Sequence, residues 1–238
     1  MALPWLGPPV FATDMSDERE SERLVIAIDG PAGAGKSTVA RGLARALGLR
    51  FLDTGAMYRA VTLLASEAGI DPGAGPELGA LAARSKLDFD NEGRIHVGAR
   101  VLEPEIRSEG VTAAVSEVSA QPEVRMEIVA RQQELGELWD GLVAEGRDTT
   151  TVVFPRARFR FYLDASPRER ARRRALELGI PEQADRIQTE IEARDAYDSG
   201  REHSPLRLGE DVVHVDTDGR TPEEVVAHLL ALVETGKR

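Results

Sequence analysis

A glycine-rich loop between a strand-like and a helix-like segment constrains this chain more than any other feature. Residues 24–29 read LVIAID, a short apolar run that predicts a buried strand. Residues 37–48 read STVARGLARALG, with apolar residues at helical spacing and a closing glycine, and predict a helix. The loop between them matches G-x-x-x-x-G-K-S at Gly30–Ser37. Strand, loop and helix in this order predict a phosphate-binding loop.

The residue types in this loop each have a chemical reason. Glycines let the backbone curl so that several N–H groups point at one anion, and the following helix N-terminus adds about half a positive charge. Lys36 is predicted to reach the outer phosphates, and Ser37 is predicted to ligate Mg²⁺. The predicted ATP-binding residues are Gly30, Pro31, Ala32, Gly33, Ala34, Gly35, Lys36, Ser37 and Thr38.

The loop predicts binding of a nucleoside triphosphate but leaves three classes of protein open. A switch GTPase needs an Asn-Lys-x-Asp motif, and asparagine precedes none of the lysines, Lys36, Lys86 and Lys237. Transporter ATPases carry a Ser-Gly-Gly signature, and the chain has no Gly-Gly pair. A small-molecule kinase needs a second anion pocket that is rich in arginine, so arginines beside turns are the residues of interest.

Two such arginines follow predicted strands. Arg59 lies one turn into a helix that Thr54 opens after the strand LRFLD, and Arg147 with Asp148 forms a charged turn after the strand GLVAE. Because the carboxyl ends of parallel strands meet where ligands sit, both arginines are expected to face the phosphate-binding loop. The alternative for Arg59 is a place on a helix surface.

Two further segments carry arginines on predicted helices. The helix after Ser166 contains five arginines and could close over a triphosphate as a lid, or could be a solvated face. Arg194, Asp198 and Arg201 have the spacing i, i+4 and i+7, which predicts one shared helical face. An ion-paired surface is the alternative for that face.

Composition limits the classes of partner. The formal net charge of −11 argues against a protein whose main work is gripping nucleic acid. The chain has no cysteine and no apolar run that approaches membrane-span length, and both features fit a cytoplasmic protein. Residues 1–23 lack a basic start and are broken by prolines, so we expect a disordered leader rather than a signal peptide.

Five segments taken together resemble the bacterial cytidylate kinases: IDGPAGAGKST, LDTGAMYR, AVSEVSAQPEVR, EGRDTTTVVFP and RDAYDSGREHSPL. The resemblance runs in order from about Leu24 to the C-terminus. It implies a three-layer α/β P-loop fold with a central parallel five-stranded sheet, in one domain over 24–238. It also implies an insert that binds the nucleoside monophosphate at about 76–125, with a small antiparallel sheet, and a short helical lid at about 167–186.

The resemblance implies an activity and assigns residues to it. The expected reaction is phosphorylation of CMP, and of dCMP, by ATP with Mg²⁺. We expect the protein to be a monomer. Lys36, Arg59, Arg147 and Arg201 are the expected catalytic residues. By the resemblance, the acceptor phosphate is bound by Arg59, Arg147 and Arg201. Cytosine is read by Ser116, Arg125 and Asp148, and the sugar is bound by Arg194 and Asp198. The expected substrate site also includes Thr54 and Tyr58.

One departure from the family pattern concerns the turn after Asp148. A hydrophobic residue and a glycine usually stand there, whereas this chain has Thr149 and Thr150. We therefore expect a changed turn beside the cytosine site. In-line phosphoryl transfer requires no covalent intermediate, so no general base is assigned. Another small-acceptor kinase and an ATP-binding module without catalysis stay open as alternatives.

Overall fold

Buried parallel strands organise the protein. A computed structural model describes residues 23–201 and 204–236; the predicted leader lies outside this part except for Arg23. The elements are β1 (Leu24–Asp29), α1 (Lys36–Leu47), β2 (Arg50–Asp53), α2 (Thr54–Glu67), α3 (Gly75–Arg84), β3 (Leu87–Phe89), β4 (Ile95–Val97), β5 (Arg100–Val101), α4 (Glu109–Val118), α5 (Pro122–Leu138), β6 (Gly141–Glu145), β7 (Phe159–Asp164), α6 (Pro167–Glu177), α7 (Ala184–Ser199), β8 (Val213–Asp216) and α8 (Pro222–Thr235).

The larger sheet has the strand order β2-β6-β1-β7-β8, and its paired strands are parallel. Its central strands are continuous apolar runs because helices cover both faces. Leu142 and Ala144 of β6 pack with α2 to α5, whereas Val143 packs on the opposite face with α1 and α8. The predicted five-stranded parallel sheet and its three layers are confirmed.

A second sheet lies between β2 and β6 in sequence. Strands β3, β4 and β5 pair antiparallel, and the Asn91–Gly93 turn joins the first two. Helices α4 and α5 follow, with α5 starting at Pro122 as predicted. The small antiparallel sheet is therefore confirmed. Within the described part of the chain, no helix is both long and apolar enough to cross a bilayer.

The register of the large sheet brings three acidic residues to one edge. Asp53, the last residue of β2, lies opposite Glu145, the last residue of β6, and Ile28 of β1 also pairs with Glu145. Asp29 follows Ile28 at the end of β1. The phosphate-binding loop, the start of α2 and the Arg147 turn all leave the sheet from this edge. The side chains that the sequence singled out therefore emerge together.

Candidate active site

The glycine-rich loop has the close backbone packing that its sequence predicts. Gly30 has φ +148°, and a Cβ atom there would lie 2.0 Å from the carbonyl oxygen of Leu163. Only glycine fits at that point. Gly35 has φ +84° and forms the N-cap of α1, so the chain turns directly from the loop into the helix. The N-terminus of α1 therefore faces the hollow of the loop.

Lys36 is buried inside this loop. The residue is only 5 % exposed, and its Nζ atom donates to the Pro31 carbonyl oxygen at 2.8 Å. Burial, and then the nearby charge of Arg147, lowers the pKa of Lys36 to about 7. A phosphate in the loop would supply the negative charge that the buried ammonium group lacks.

Ser37 contacts an acidic residue that the sequence reasoning missed. Ser37 Oγ donates to Glu145 Oε1 at 2.6 Å, and Glu145 is buried. Burial and the neighbouring charge of Asp53 raise the pKa of Glu145. Among the described residues, no group of three or more His, Cys, Asp or Glu side chains could hold a metal. One hydroxyl and neighbouring carboxylates nevertheless match the oxygen donors that a largely hydrated Mg²⁺ takes.

Asp198 gathers three arginines around one carboxylate. Arg147 Nε lies 3.0 Å from its Oδ2, Arg201 Nη2 lies 2.5 Å from its Oδ1, and Arg194 Nε lies 4.0 Å from its Oδ2. Asp198 is 1 % exposed. Burial and then the charge of Arg147 lower the pKa of Arg194 to about 10. Three guanidinium groups sharing one carboxylate leave an excess of positive charge, which suits a bound anion.

The prediction that Arg201 shares a helical face with Arg194 and Asp198 is wrong. Helix α7 ends at Ser199, with Gly200 as its C-cap, so Arg201 lies beyond the helix. Arg201 joins the cluster by the turn of the chain rather than by helical spacing. Arg201 Nη2 also donates to Ser119 Oγ at 3.1 Å. Ser119 was missed because nothing in its local sequence distinguishes it from the neighbouring Ser116.

Arg59 lies on α2, and its charge interacts with those of Arg147 and Arg194. Arg59 Nη1 donates to Thr112 Oγ1 at 3.0 Å and to the Ile106 carbonyl oxygen at 3.3 Å. Burial lowers the pKa of Arg59, and the positive charges of Arg107 and Arg147 act in the same direction. Arg59 is thus held by Ile106 and Thr112 and lies within electrostatic range of the Arg147 turn.

The predicted base-reading residues form a buried group. Arg125 and Asp148 make an ion pair, and Arg125 Nη1 also donates to the Ser119 carbonyl oxygen at 3.2 Å. The guanidinium of Arg125 lies 5.4 Å from the ring centre of Tyr58. Burial raises the pKa of Asp148. The Tyr58 hydroxyl is buried and has no hydrogen-bond partner among residues 23–201 and 204–236, so it remains available to a ligand.

Two residues of the predicted substrate site, Ser116 and Thr54, lie outside the two charged groups described above. Ser116 is half-buried on α4, and its carbonyl oxygen accepts from Ser119 Oγ at 3.1 Å. Thr54 Oγ1 donates to the Glu145 carbonyl oxygen at 2.6 Å. The Thr54 hydroxyl proton is therefore committed to the backbone, and only its lone pairs can meet a ligand.

Two of the five arginines on α6 face the phosphate-binding loop. Arg170 Nη1 lies 2.5 Å from Asp195 Oδ2 and 3.0 Å from the Ala32 carbonyl oxygen, while Asp195 Oδ1 accepts from the Ala32 amide at 3.2 Å. Arg173 donates to the Thr217 hydroxyl at 3.0 Å. The other three, Arg168, Arg172 and Arg174, are exposed. Helices α6 and α7 are thus joined to the loop by a partly buried ion pair.

A phosphate-binding loop beside arginines grouped around a buried carboxylate defines a P-loop phosphotransferase that acts on a small phosphorylated acceptor. The family model for cytidylate kinase matches residues 26–235, and the chain belongs to the cytidylate kinase family. It is 46 % identical over 214 residues to the cytidylate kinase of Mycobacterium leprae (strain Br4923), covering 89 % of this chain and 96 % of that protein. It is also 46 % identical over 219 residues to the cytidylate kinase of Mycobacterium avium (strain 104), covering 90 % and 96 %.

A solved structure supports the fold alone. The crystal structure of an uncharacterized protein from Eubacterium ventriosum ATCC 27560 superposes with a TM-score of 0.51 at 10 % sequence identity. The superposition covers 90 % of this chain and 99 % of that one. An identity this low carries no information on the substrate.

Proposed function

We propose that this chain transfers the γ-phosphoryl group of ATP to CMP, and to dCMP, and releases the corresponding diphosphate. This is the reaction of the family to which the chain belongs. The observation that carries the proposal in the structure is the cluster of Arg147, Arg194 and Arg201 on Asp198, beside the buried pair Arg125–Asp148. The cluster suits a phosphate and sugar, and the pair suits a base.

The proposed donor site is the loop at Gly30–Thr38. Its backbone N–H groups and the N-terminus of α1 bind the phosphates of ATP, and Lys36 carries the positive charge nearest to the transferred group. Ser37, with Glu145 behind it, would hold Mg²⁺, which when bound neutralises charge on the β- and γ-phosphates. Arg173 of α6 lies over the loop, because its Nη1 atom would be 3.8 Å from a Cβ atom added at Gly35.

The proposed acceptor site holds CMP by its three parts. Arg59, Arg147 and Arg201 bind the phosphate, and Asp198 with Arg194 binds the sugar. Asp148 accepts from the cytosine N4 amino group, while Arg125 and Ser116 donate toward N3 or O2. An acceptor phosphate oxygen then attacks the γ-phosphorus in line, and the arginines neutralise the charge that spreads over the oxygens. Positioning and charge neutralisation supply the catalysis, so a nucleophilic side chain is not required.

An acceptor panel tests the proposal. The purified protein is given ATP, Mg²⁺ and one of CMP, dCMP, UMP, AMP or shikimate, and ADP release is followed by a coupled assay. We expect the highest kcat/KM with CMP and dCMP, and little ADP release without an acceptor. Equal ADP release with and without CMP would instead indicate an ATP-binding module, and preference for shikimate another kinase. The monomeric state and the cytoplasmic location stay predictions.

A further inference from the structure

A fully buried carboxylate joins the start of the phosphate-binding loop to the acceptor turn. Asp29 is 0 % exposed and accepts four hydrogen bonds from two adjacent threonines. Thr149 donates to Oδ1 through its amide at 2.8 Å and its hydroxyl at 2.6 Å. Thr150 donates to Oδ2 through its amide at 2.7 Å and its hydroxyl at 2.6 Å. Each carboxylate oxygen therefore receives one N–H and one O–H donor.

This arrangement accounts for a charge that would otherwise be costly to bury. A carboxylate away from water is tolerated when hydrogen bonds compensate its lost hydration, and bonds to an ionised acceptor are about twice as strong as neutral ones. Both threonines are themselves 0 % exposed, so water does not compete for Asp29. The two hydroxyls supply half of the four donors. We refer to Asp29, Thr149 and Thr150 as the carboxylate clasp.

The clasp lies between the two halves of the proposed site. Asp29 directly precedes Gly30, the first residue of the phosphate-binding loop. Thr149 directly follows Arg147 and Asp148, the proposed phosphate and cytosine ligands. Asp29 ends a central strand that is paired on both sides, so its position is fixed by the sheet. The Arg147–Asp148 turn is therefore attached to the rigid side of the site.

The turn itself has little regular structure to fix it. Residues Thr149–Val153 form a single π-type turn, and the amides of Thr151, Val152 and Val153 all converge on the Asp148 carbonyl oxygen at 2.8 to 3.3 Å. Such single-turn π segments are uncommon and frequently lie at functional sites. Before the turn, the Gly146 amide donates to the Ile28 carbonyl oxygen at 2.9 Å, which provides a second attachment to β1.

We propose that the Thr149 and Thr150 hydroxyls are positioning groups for acceptor specificity, acting through the Asp29 carboxylate on the Arg147–Asp148 turn. The sequence led us to expect a changed turn where the family usually has a hydrophobic residue and a glycine. The two threonine side chains that stand at these positions add two donors to the carboxylate. This inference rests on the proposed role of Arg147 and Asp148 at the acceptor.

The double variant Thr149→Val/Thr150→Val tests the clasp. Valine has nearly the shape of threonine but lacks the hydroxyl, so two of the four donors described above, the backbone amides, remain for Asp29. We expect the KM for CMP to rise about tenfold and the CMP-over-UMP ratio of kcat/KM to fall about fivefold, the scale of lost hydrogen bonds to a charged group. The KM for ATP should change less than about twofold, because Asp29 stays fixed by the sheet.

Two matched variants make the test specific. Thr149→Ser/Thr150→Ser keeps both hydroxyls and should restore both the KM for CMP and the CMP-over-UMP ratio. Thr151→Val alters the next threonine of the same turn, which does not donate to Asp29, and should behave as wild type. If the double valine variant fails to fold, the two single valine variants each remove one hydroxyl and carry the same comparison.

Results that would contradict the role of the clasp can be told apart from results that would contradict the proposed function. A lower melting temperature with an unchanged KM for CMP and an unchanged CMP-over-UMP ratio would show that the clasp only stabilises the fold. An equal rise of the KM for ATP and for CMP would show that it serves the phosphate-binding loop instead. Either result overturns the inference. Lack of CMP-dependent turnover in the wild-type protein would instead overturn the proposed function.

Discussion

Arg147 Nε donates to Asp198 Oδ2 at 3.0 Å, and this contact ties the turn after β6 to the last turn of α7. The two residues are 51 positions apart, so the contact depends on the tertiary fold. The same carboxylate also holds Arg201 and lies 4.0 Å from Arg194. Asp198 therefore holds the arginines in a fixed orientation, while their excess positive charge remains for an incoming phosphate.

Replacing Asp198 should weaken the acceptor far more than the donor. Asp198→Ala removes the proposed sugar ligand and frees the arginines that it orients, so we expect the KM for CMP to rise about 10- to 100-fold, as for a broken buried charge pair. The KM for ATP should stay within about threefold, because Asp198 is proposed to touch only the acceptor. Steady-state kinetics with each substrate varied in turn checks this. Asp185→Ala, at an exposed position of α7, is the control. Equal rises in both KM values would assign Asp198 to the lid or to folding.

The lysine of the loop should matter mainly for turnover. Lys36→Ala removes the buried charge nearest to the proposed γ-phosphate, and we expect kcat to fall by roughly 10²–10³ with the fold intact. Single-turnover measurements of ADP formation, with circular dichroism as the folding check, give the comparison. Lys86→Ala alters an exposed lysine and should leave kcat unchanged. Turnover close to wild type in Lys36→Ala would remove this residue from the donor site.

The lowered pKa of Lys36 predicts that nucleotide binding takes up a proton. With a pKa of about 7, Lys36 is mostly neutral at pH 8 in the free protein. A bound triphosphate favours the ammonium form and raises this pKa, so binding at pH 8 should draw nearly one proton from the buffer. Calorimetry of ATP binding in buffers of different ionisation enthalpy measures the uptake. The uptake should be lost in Lys36→Ala. Equal uptake by both proteins would mean that another group takes the proton.

The local features of the fold were predictable because short-range patterns encode them. The strand before Gly30 and the helix after it follow from the apolar patterns of residues 24–29 and 37–48, and the loop between them follows from a motif of eight residues. The pairing of Arg194 with Asp198 follows from their spacing of four on a helix. Helix α5 begins at Pro122, since proline is favoured in the first helical turn.

Long-range partners were not predictable from the sequence. Asp29 and Thr149 are 120 positions apart, and their contact depends on the register of β1 against β6. The ion pair of Arg170 with Asp195 depends on how α6 packs on α7, because neither residue has a distinctive local pattern. The error at Arg201 has a local cause, since the helix ends at Ser199 and a continuous face would require it to reach Arg201. The roles of the individual site residues stay predictions.

The discrimination between CMP and UMP in Asp148→Asn tests the acceptor site most directly. Uracil presents O4 where cytosine presents an N4 amino group, so an Asp148 carboxylate would meet an acceptor rather than a donor. The measurement is kcat/KM for CMP and for UMP, in wild type and variant, at one Mg²⁺ concentration. We predict that kcat/KM for CMP falls. We also predict that the CMP-over-UMP ratio of kcat/KM falls by the equivalent of about 1–3 kcal/mol, the size of one good base contact. A ratio that stays unchanged while both nucleotides lose equally would contradict base reading by Asp148 and leave it a structural partner of Arg125.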